Sequence, residues 1–306
     1  MARIATYAQQ QLSMHYMQHT LSRTAETQIQ IASGKKAQQY SGIAGQANQL
    51  VSLELSVTRT EQFNRNIDQT IARLNIMESS VATITDRAVS VLSILSSALS
   101  GTNLQDIPLS EFAATYRDEI ESLLNIKHED RFLFAGSRTD TAPVDVTDPA
   151  YTPQAGLPGV FTADFDYYQG DQQVMAVRVD DNSQTDYGVT ADEPAFEMLL
   201  RAMAYMDYAD VNQDVAVLGE AFDLVNQAVN ALTEVRGKIG AVGEVLDQTK
   251  SGHDNFLTYA KNLVSSLEDI DIAEATTRLA VDENQLMGSY MAMNRIANLS
   301  LLEFLR

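Results

Sequence analysis

Residues 48–100, NQLVSLELSVTRTEQFNRNIDQTIARLNIMESSVATITDRAVSVLSILSSALS, contain no glycine and no proline. Stepping alternately by three and four from Leu50 reaches Leu53, Val57, Thr60, Asn64, Ile67, Ile71, Leu74, Glu78, Val81, Thr85, Ala88, Leu92, Leu95 and Leu99. Eleven of these fifteen positions are apolar. A repeat averaging 3.5 residues draws one narrow hydrophobic stripe along a helix, the mark of a coiled coil or bundle. The stretch therefore predicts a helix of about 50 residues, roughly 75 Å at the rise of an α-helix. Helices of that length build rods.

Outward from this segment, Gly101 ends the helix and Pro108 stands near the start of the next. Residues 109–129 read as a shorter helix returning antiparallel. A second long pattern runs over 215–266, with Val217, Ala221, Leu224, Ala228, Ala231, Val235, Val242, Val245, Phe256, Tyr259 and Leu263 in one register. Gly237, Gly240, Gly243 and Gly252 interrupt it at about 1 kcal/mol each relative to Ala. Close approach of a second helix is the expected compensation.

The composition changes between the helical halves. Pro143, Pro149, Pro153, Pro158 and Pro194, five of the six prolines, fall there with Gly156, Gly159, Gly170 and Gly188. Phe161, Ala163, Phe165 and Tyr167 alternate with Thr162, Asp164, Asp166 and Tyr168, a period of two that predicts a strand. Met175, Val177 and Val179 do the same, and Asp180–Ser183 supplies a turn. The fold expected is mainly α with a small β insertion: a long antiparallel helical rod built from both chain ends, tipped by a β-rich domain.

Both extremities are amphipathic. Met14, Met17, Leu21 and Ile31 share a stripe near the start; Ile272, Leu279, Leu286, Tyr290, Met293 and Ala297 share one near the end, which closes on an apolar run containing Leu302. Two helices paired alone bury too little surface to be stable. Another copy of the chain is the remaining partner. Met14, Met17, Leu21, Ile31, Leu279, Leu286, Met293 and Leu302 are accordingly the candidate interface residues.

With 21 basic and 41 acidic side chains the formal charge is −20. That charge argues against nucleic acid, which is bound by neutralising phosphates, and against an anionic membrane surface. No cysteine is present, so disulfides, thiol catalysis and Cys-bound metal are excluded. The N-terminal residues show no cleavable signal pattern, and no apolar run approaches the ~20 residues of a membrane span.

Several stretches resemble a known family. Gln28–Lys36, QIQIASGKK, is similar to the flagellin-superfamily segment with a Ser-Gly-Lys core; Val235–Ala241, VRGKIGA, resembles its returning long helix; Asp269–Ala275, DIDIAEA, opens the last helix as in flagellins. Within that superfamily, Arg131–Gly136 (RFLFAG) followed by Thr139, Asp140 and Pro143, then Tyr168–Asp171 (YQGD), and the ending Leu299–Leu305 resemble the hook–filament junction type, hook-associated protein 3. One departure stands at Tyr40–Ala44, where many members carry a Pro-Ser-Asp-Asp-Pro-like turn. The resemblance implies a secreted structural protein of the extracellular bacterial flagellum, exported unfolded by the type III route, with an export chaperone on its C-terminal region. It implies a helical tube with residues 1–44 and 267–306 inside, 45–138 and 192–266 as rod, and 139–191 as the β insertion. The implied neighbours are a hook-associated protein on the hook side and flagellin on the filament side; a minor flagellin is the alternative.

Catalytic and cofactor candidates are few. His15 and His19 lie one helical turn apart, yet without cysteine or a nearby acidic cluster they read as solvated or interface histidines. Asp210, Asn212 and Asp214 mimic the start of a calcium loop, but Val215 stands where Gly is needed and Ala221 where Glu closes it. Gly237, Gly240 and Gly243 sit inside a helical pattern instead of after a strand. Asp164, Asp166 and Asp171 read as a solvated face. No enzyme, metal or cofactor is expected.

Overall fold

The computed structural model describes residues 2–101 and 107–304, with side chains at 8, 11–101 and 107–295. In chain order the elements are α1 (Ala2–Ser33), α2 (Ala47–Ser100), α3 (Leu109–Leu124), β1 (Lys127–His128), β2 (Arg131–Phe132), β3 (Met175–Asp180), β4 (Ser183–Tyr187), α4 (Pro194–Asn212), α5 (Val215–Glu268) and α6 (Ile272–Phe304). A short 3-10 turn, Tyr40–Ile43, lies between α1 and α2. The protein is mainly α with a small β portion, as the patterns predict. It divides into two compact units, Met1–Arg59 with Asn255–Arg306 and Thr60–Asp254; α2 and α5 contribute to both.

In the second unit α2 and α5 run antiparallel. Asn64 Nδ2 donates to Asp254 Oδ1 at 2.8 Å and Arg236 pairs with Glu78 at 2.7 Å; Lys250 pairs with Asp68. The seam of α2 is Ile67, Thr70, Leu74, Met77, Val81, Ile84, Ala88, Val91, Leu95 and Ala98, all buried. From Ile67 onward every second position of the predicted stripe lies on it. The others sit one residue off, with Ile71, Glu78, Thr85, Leu92 and Leu99 flanking the seam only partly buried. Glu78 is thereby free to meet Arg236. This buried seam also accounts for the apolarity of α2, the helix among the described residues long and apolar enough by composition to cross a membrane.

Helix α5 continues unbroken through its glycines. Its inward positions Ala221, Val225, Ala228, Leu232, Val235, Ile239 and Leu246 follow the same alternation of four and three. Of the predicted register Val217, Ala221, Leu224, Ala228 and Val235 are buried, Ala231 gives way to Leu232, Val242 is half-buried and Val245 is exposed. A Cβ at Gly237, Gly240, Gly243 or Gly252 would meet nothing within 4 Å. Within the chain these glycines therefore admit no close helix, contrary to the expected packing role. We predict that Gly237→Ala raises the stability of the isolated chain by about 1 kcal/mol, through the entropy that Gly costs a helix interior; denaturant midpoints measure it.

Helix α4 begins with Pro194 at its first turn and carries eleven buried residues on all sides, Phe196, Leu199, Met203, Tyr205 and Met206 among them. It packs against α3, where Asp210 Oδ2 accepts from the Ser110 amide at 2.9 Å and so caps the first turn of α3. Helix α3 is shorter than expected, ending at Leu124 because the chain turns into a hairpin. That hairpin, β1 with β2, closes through Glu129 and Asp130, both at positive φ (52° and 60°), the backbone of a tight mirror-image turn.

The strand predicted at 175–180 is β3, paired antiparallel with β4. The strand predicted at 161–168 does not form. Asp164 folds the segment into turns by accepting from the Thr152 amide at 2.7 Å and the Asp166 amide at 3.0 Å. Phe161 and Phe165 are partly exposed and lie against Tyr205 and Tyr167, Tyr167 is buried, and a lone bridge from Tyr168 to Val144 is the remaining pairing.

Candidate subunit interface

The first unit is organised on the antiparallel pair α1·α6. A connector joins the two helices to α5. Gly34, at φ 72°, ends α1; the Lys36 amide donates to Glu268 O at 2.7 Å and the Ile270 amide to Gly34 O at 2.9 Å. The Lys36 ammonium donates to the carbonyls of Ser266 and Leu267, capping the C-terminus of α5 with a cation where the helix dipole favours one. Lys35 pairs with Glu268, which raises its pKa. Asp271 then caps α6, accepting from the amides of Ala273 (2.9 Å) and Glu274 (3.2 Å). The Ser-Gly-Lys-Lys and Asp-Ile-Asp segments, distant in sequence, are two halves of one joint.

Beyond the joint, α1 turns Ser13, Met17, Thr20, Thr24, Thr27 and Ile31 inward, while α6 turns Ala275, Leu279, Asp282, Leu286, Ser289 and Met293. Each row steps by four and three. The hydroxyls of Thr20 and Thr24 donate to carbonyls four residues back in their own helix (3.0 and 2.9 Å), leaving methyl groups for the seam. This seam is thin in apolar bulk. The bulk lies on the outside: Leu12, Tyr16 (64% exposed), Ile29, Val281, Met287, Tyr290 and Met291 (60%).

The expected interface residues divide accordingly. Met14 and Leu21 are exposed on α1. Met17, Ile31, Leu279 and Met293 are half-buried in the seam, and Leu286 is buried there. Leu302 falls within the span of α6 but outside the residues whose side chains are described. Large outward residues such as Tyr16, Val281, Met287 and Met291 were not singled out, because the middle of the α1 row that orients the pair is Thr20, Thr24 and Thr27 instead of apolar residues.

Other candidates are absorbed by local structure. His15 and His19 are exposed, and no group of three metal-binding side chains occurs among the described residues. Asp214 caps α5 through the Ala216 and Val217 amides, and Asn212 donates to Tyr208 O. Asp171 accepts from the Ser137 hydroxyl and amide and from the Gln173 amide, which holds its carboxyl below the usual carboxylate range. A cleft of about 600 Å³ lies between α3 and α4 beneath residues 151–155; Asp207 in its lining accepts from Ser110 Oγ and Gln154 Nε2, while the buried Tyr151 hydroxyl has no partner.

The RFLFAG and YQGD segments meet each other. The Asp171 amide donates to Ala135 O at 3.2 Å, Tyr168 OH to Asp171 O at 2.6 Å, and the Ala191 amide to Phe134 O at 2.9 Å. Phe134 packs edge-on against Phe196, with ring centroids 6.1 Å apart. A Cβ on Gly136 would overlap the Asp171 carbonyl, and one on Gly170 would stand 2.7 Å from Ala135 O.

Compared with known proteins, residues 222–305 match the bacterial flagellin C-terminal helical region. The matched segment comprises most of α5 and all of α6, and so half of the joint and half of the terminal seam. Among solved structures the chain is similar to flagellar hook-associated protein-3 from Legionella pneumophila, at 12% identity and a TM-score of 0.56, covering 71% of this chain and 98% of that one. It is also similar to FlgL from Bacillus cereus (14%, 0.55, covering 70% and 99%) and FlgL from Xanthomonas campestris (13%, 0.54, covering 70% and 99%). These likenesses are of fold. No curated protein matches the chain by sequence.

Proposed function

We propose that this chain is a structural, non-enzymatic subunit of the bacterial flagellum that joins hook to filament, polymerising through its terminal helices. What carries the reading is the outward apolar face of α1 and α6, borne in part by a flagellin-type C-terminal region. A two-helix pair whose inner seam is half threonine, serine and aspartate, and which leaves Leu12, Tyr16, Ile29, Val281, Met287, Tyr290 and Met291 facing solvent, gains further burial by meeting other subunits. In this reading residues 1–44 and 267–306 line the inner tube, 45–138 and 192–266 form the rod outside it, and 139–191 project from the rod. A hook-associated protein and flagellin are the neighbours, and a chaperone holds the C-terminal region before export through the type III channel. The likeness to hook-associated protein-3 favours the junction over the filament.

The test is electron microscopy of cells lacking the protein. Hooks without filaments, with filament protein lost to the medium, are expected. Intact filaments on such cells would overturn the junction role. Long filaments grown from this chain alone would make it a filament subunit instead.

A further inference from the structure

Asp282 is fully buried in the α1·α6 seam, where it pairs with Arg23; its second oxygen, Oδ2, is also buried and has no partner. The remainder of the seam tolerates sliding. A shift of seven residues brings Thr20 to the place of Thr27 and Leu279 to that of Leu286, exchanging like for like. The charge does not tolerate it. Arg23 is the only Lys or Arg between residues 8 and 33. A seven-residue slip sets Asp282 beside Tyr16 or Gln30, with no cation to meet it. Burying an unpaired carboxylate is strongly disfavoured, whereas a pair whose cation stays 47% exposed, as Arg23 does, adds little strength.

We infer that the Arg23–Asp282 pair is a register lock: it holds the two chain ends in one alignment and contributes little to the strength of their association. A single buried polar position serves coiled coils in this way, selecting one alignment at a cost in stability. The half-satisfied state of Asp282 is the sign of that cost. The inference rests on the seam of a single chain and is independent of what the outer face meets. The competing determinant is the joint at Gly34–Lys36 and Glu268–Ile270, which pins the base of the pair.

The absence of cysteine provides a clean background for cross-linking. Leu286→Cys is combined with Thr20→Cys, Ser13→Cys or Thr27→Cys in the full chain, and disulfides form under mild oxidation. The Arg23 and Lys36 contacts set Thr20 opposite position 286, and the other two report a slip in either direction. In the chain with Arg23 and Asp282 intact, the 20–286 bond should exceed both others by at least about 100-fold. With Arg23→Leu and Asp282→Leu together, helix content by circular dichroism should hold while a slipped bond rises to within about tenfold of the aligned one. Arg23→Leu alone, which strands the carboxylate, should lower helix content. Three results overturn the lock: equal selectivity in the double-leucine chain, which assigns alignment to the joint; loss of all three bonds there, which makes the pair a source of strength; or no selectivity in the intact chain.

Discussion

Introducing aspartate at Tyr16, Met287 and Met291 together will abolish incorporation of the protein into flagella, while the isolated chain unfolds at an unchanged denaturant concentration. All three side chains are more than half exposed on α1 and α6 (64, 57 and 60%). Surface substitutions away from caps and buried pairs alter stability by no more than about 0.5 kcal/mol each. Assembly is another matter. A side chain that is buried between subunits would there become an unpaired carboxylate in an apolar contact, a cost of several kcal/mol repeated at every copy. Motility, flagellar microscopy and the amount of protein in sheared filaments read the first half; urea unfolding of the purified chain reads the second. Normal flagella built from the triple variant would remove the outer face from the proposed assembly.

Gly136→Ala will destabilise the second unit by about 3–5 kcal/mol, the combined effect of a positive φ forbidden to most side chains and of overlap with a backbone atom that cannot retreat. Gly136 has φ 67°, and the obstructing atom is the Asp171 carbonyl, which already accepts from Tyr168 OH. Displacing it breaks the contact between the RFLFAG and YQGD segments and loosens Phe134 from Phe196. Thermal unfolding should fall well below that of the unsubstituted chain, in contrast to the gain expected at Gly237, where a methyl group enters open space. A Gly136→Ala chain of unchanged stability would show that the two segments are joined less firmly than their hydrogen bonds indicate.

The long helices were legible because period 3.5 persists over many turns, and the glycines of α5 were too weak to interrupt it. Their register was legible only in part. Stepping three-then-four or four-then-three gives equal apolar scores where Val91 and Leu92, or Ala98 and Leu99, stand side by side, and the structure buries Val91 and Ala98. Helix α4 left no periodic signal because it is apolar nearly all round, the condition of an enclosed helix. The false strand at 161–168 came from alternation of aromatic and acidic residues whose carboxylates in fact make turns. At the chain ends, the large residues of each helix were read as one stripe facing another copy of the chain. The structure splits that stripe: Met17 and Leu286 lie in a seam shared with threonines and one aspartate, whereas Met14 and Leu21 face outward. The joint of Lys36 with the end of α5 lay beyond a reading of either segment alone, since it is made of backbone carbonyls.

The enclosure of α4 bears on how such a protein can vary over generations. Between Ala195 and Ala209 that helix has few neutral positions, so most exchanges there are filtered by loss of folding before any effect on function is exposed to selection. In the proposed assembly the outward rows of α1 and α6 answer to a different judge: the neighbouring subunit, free to drift as long as that neighbour drifts in step.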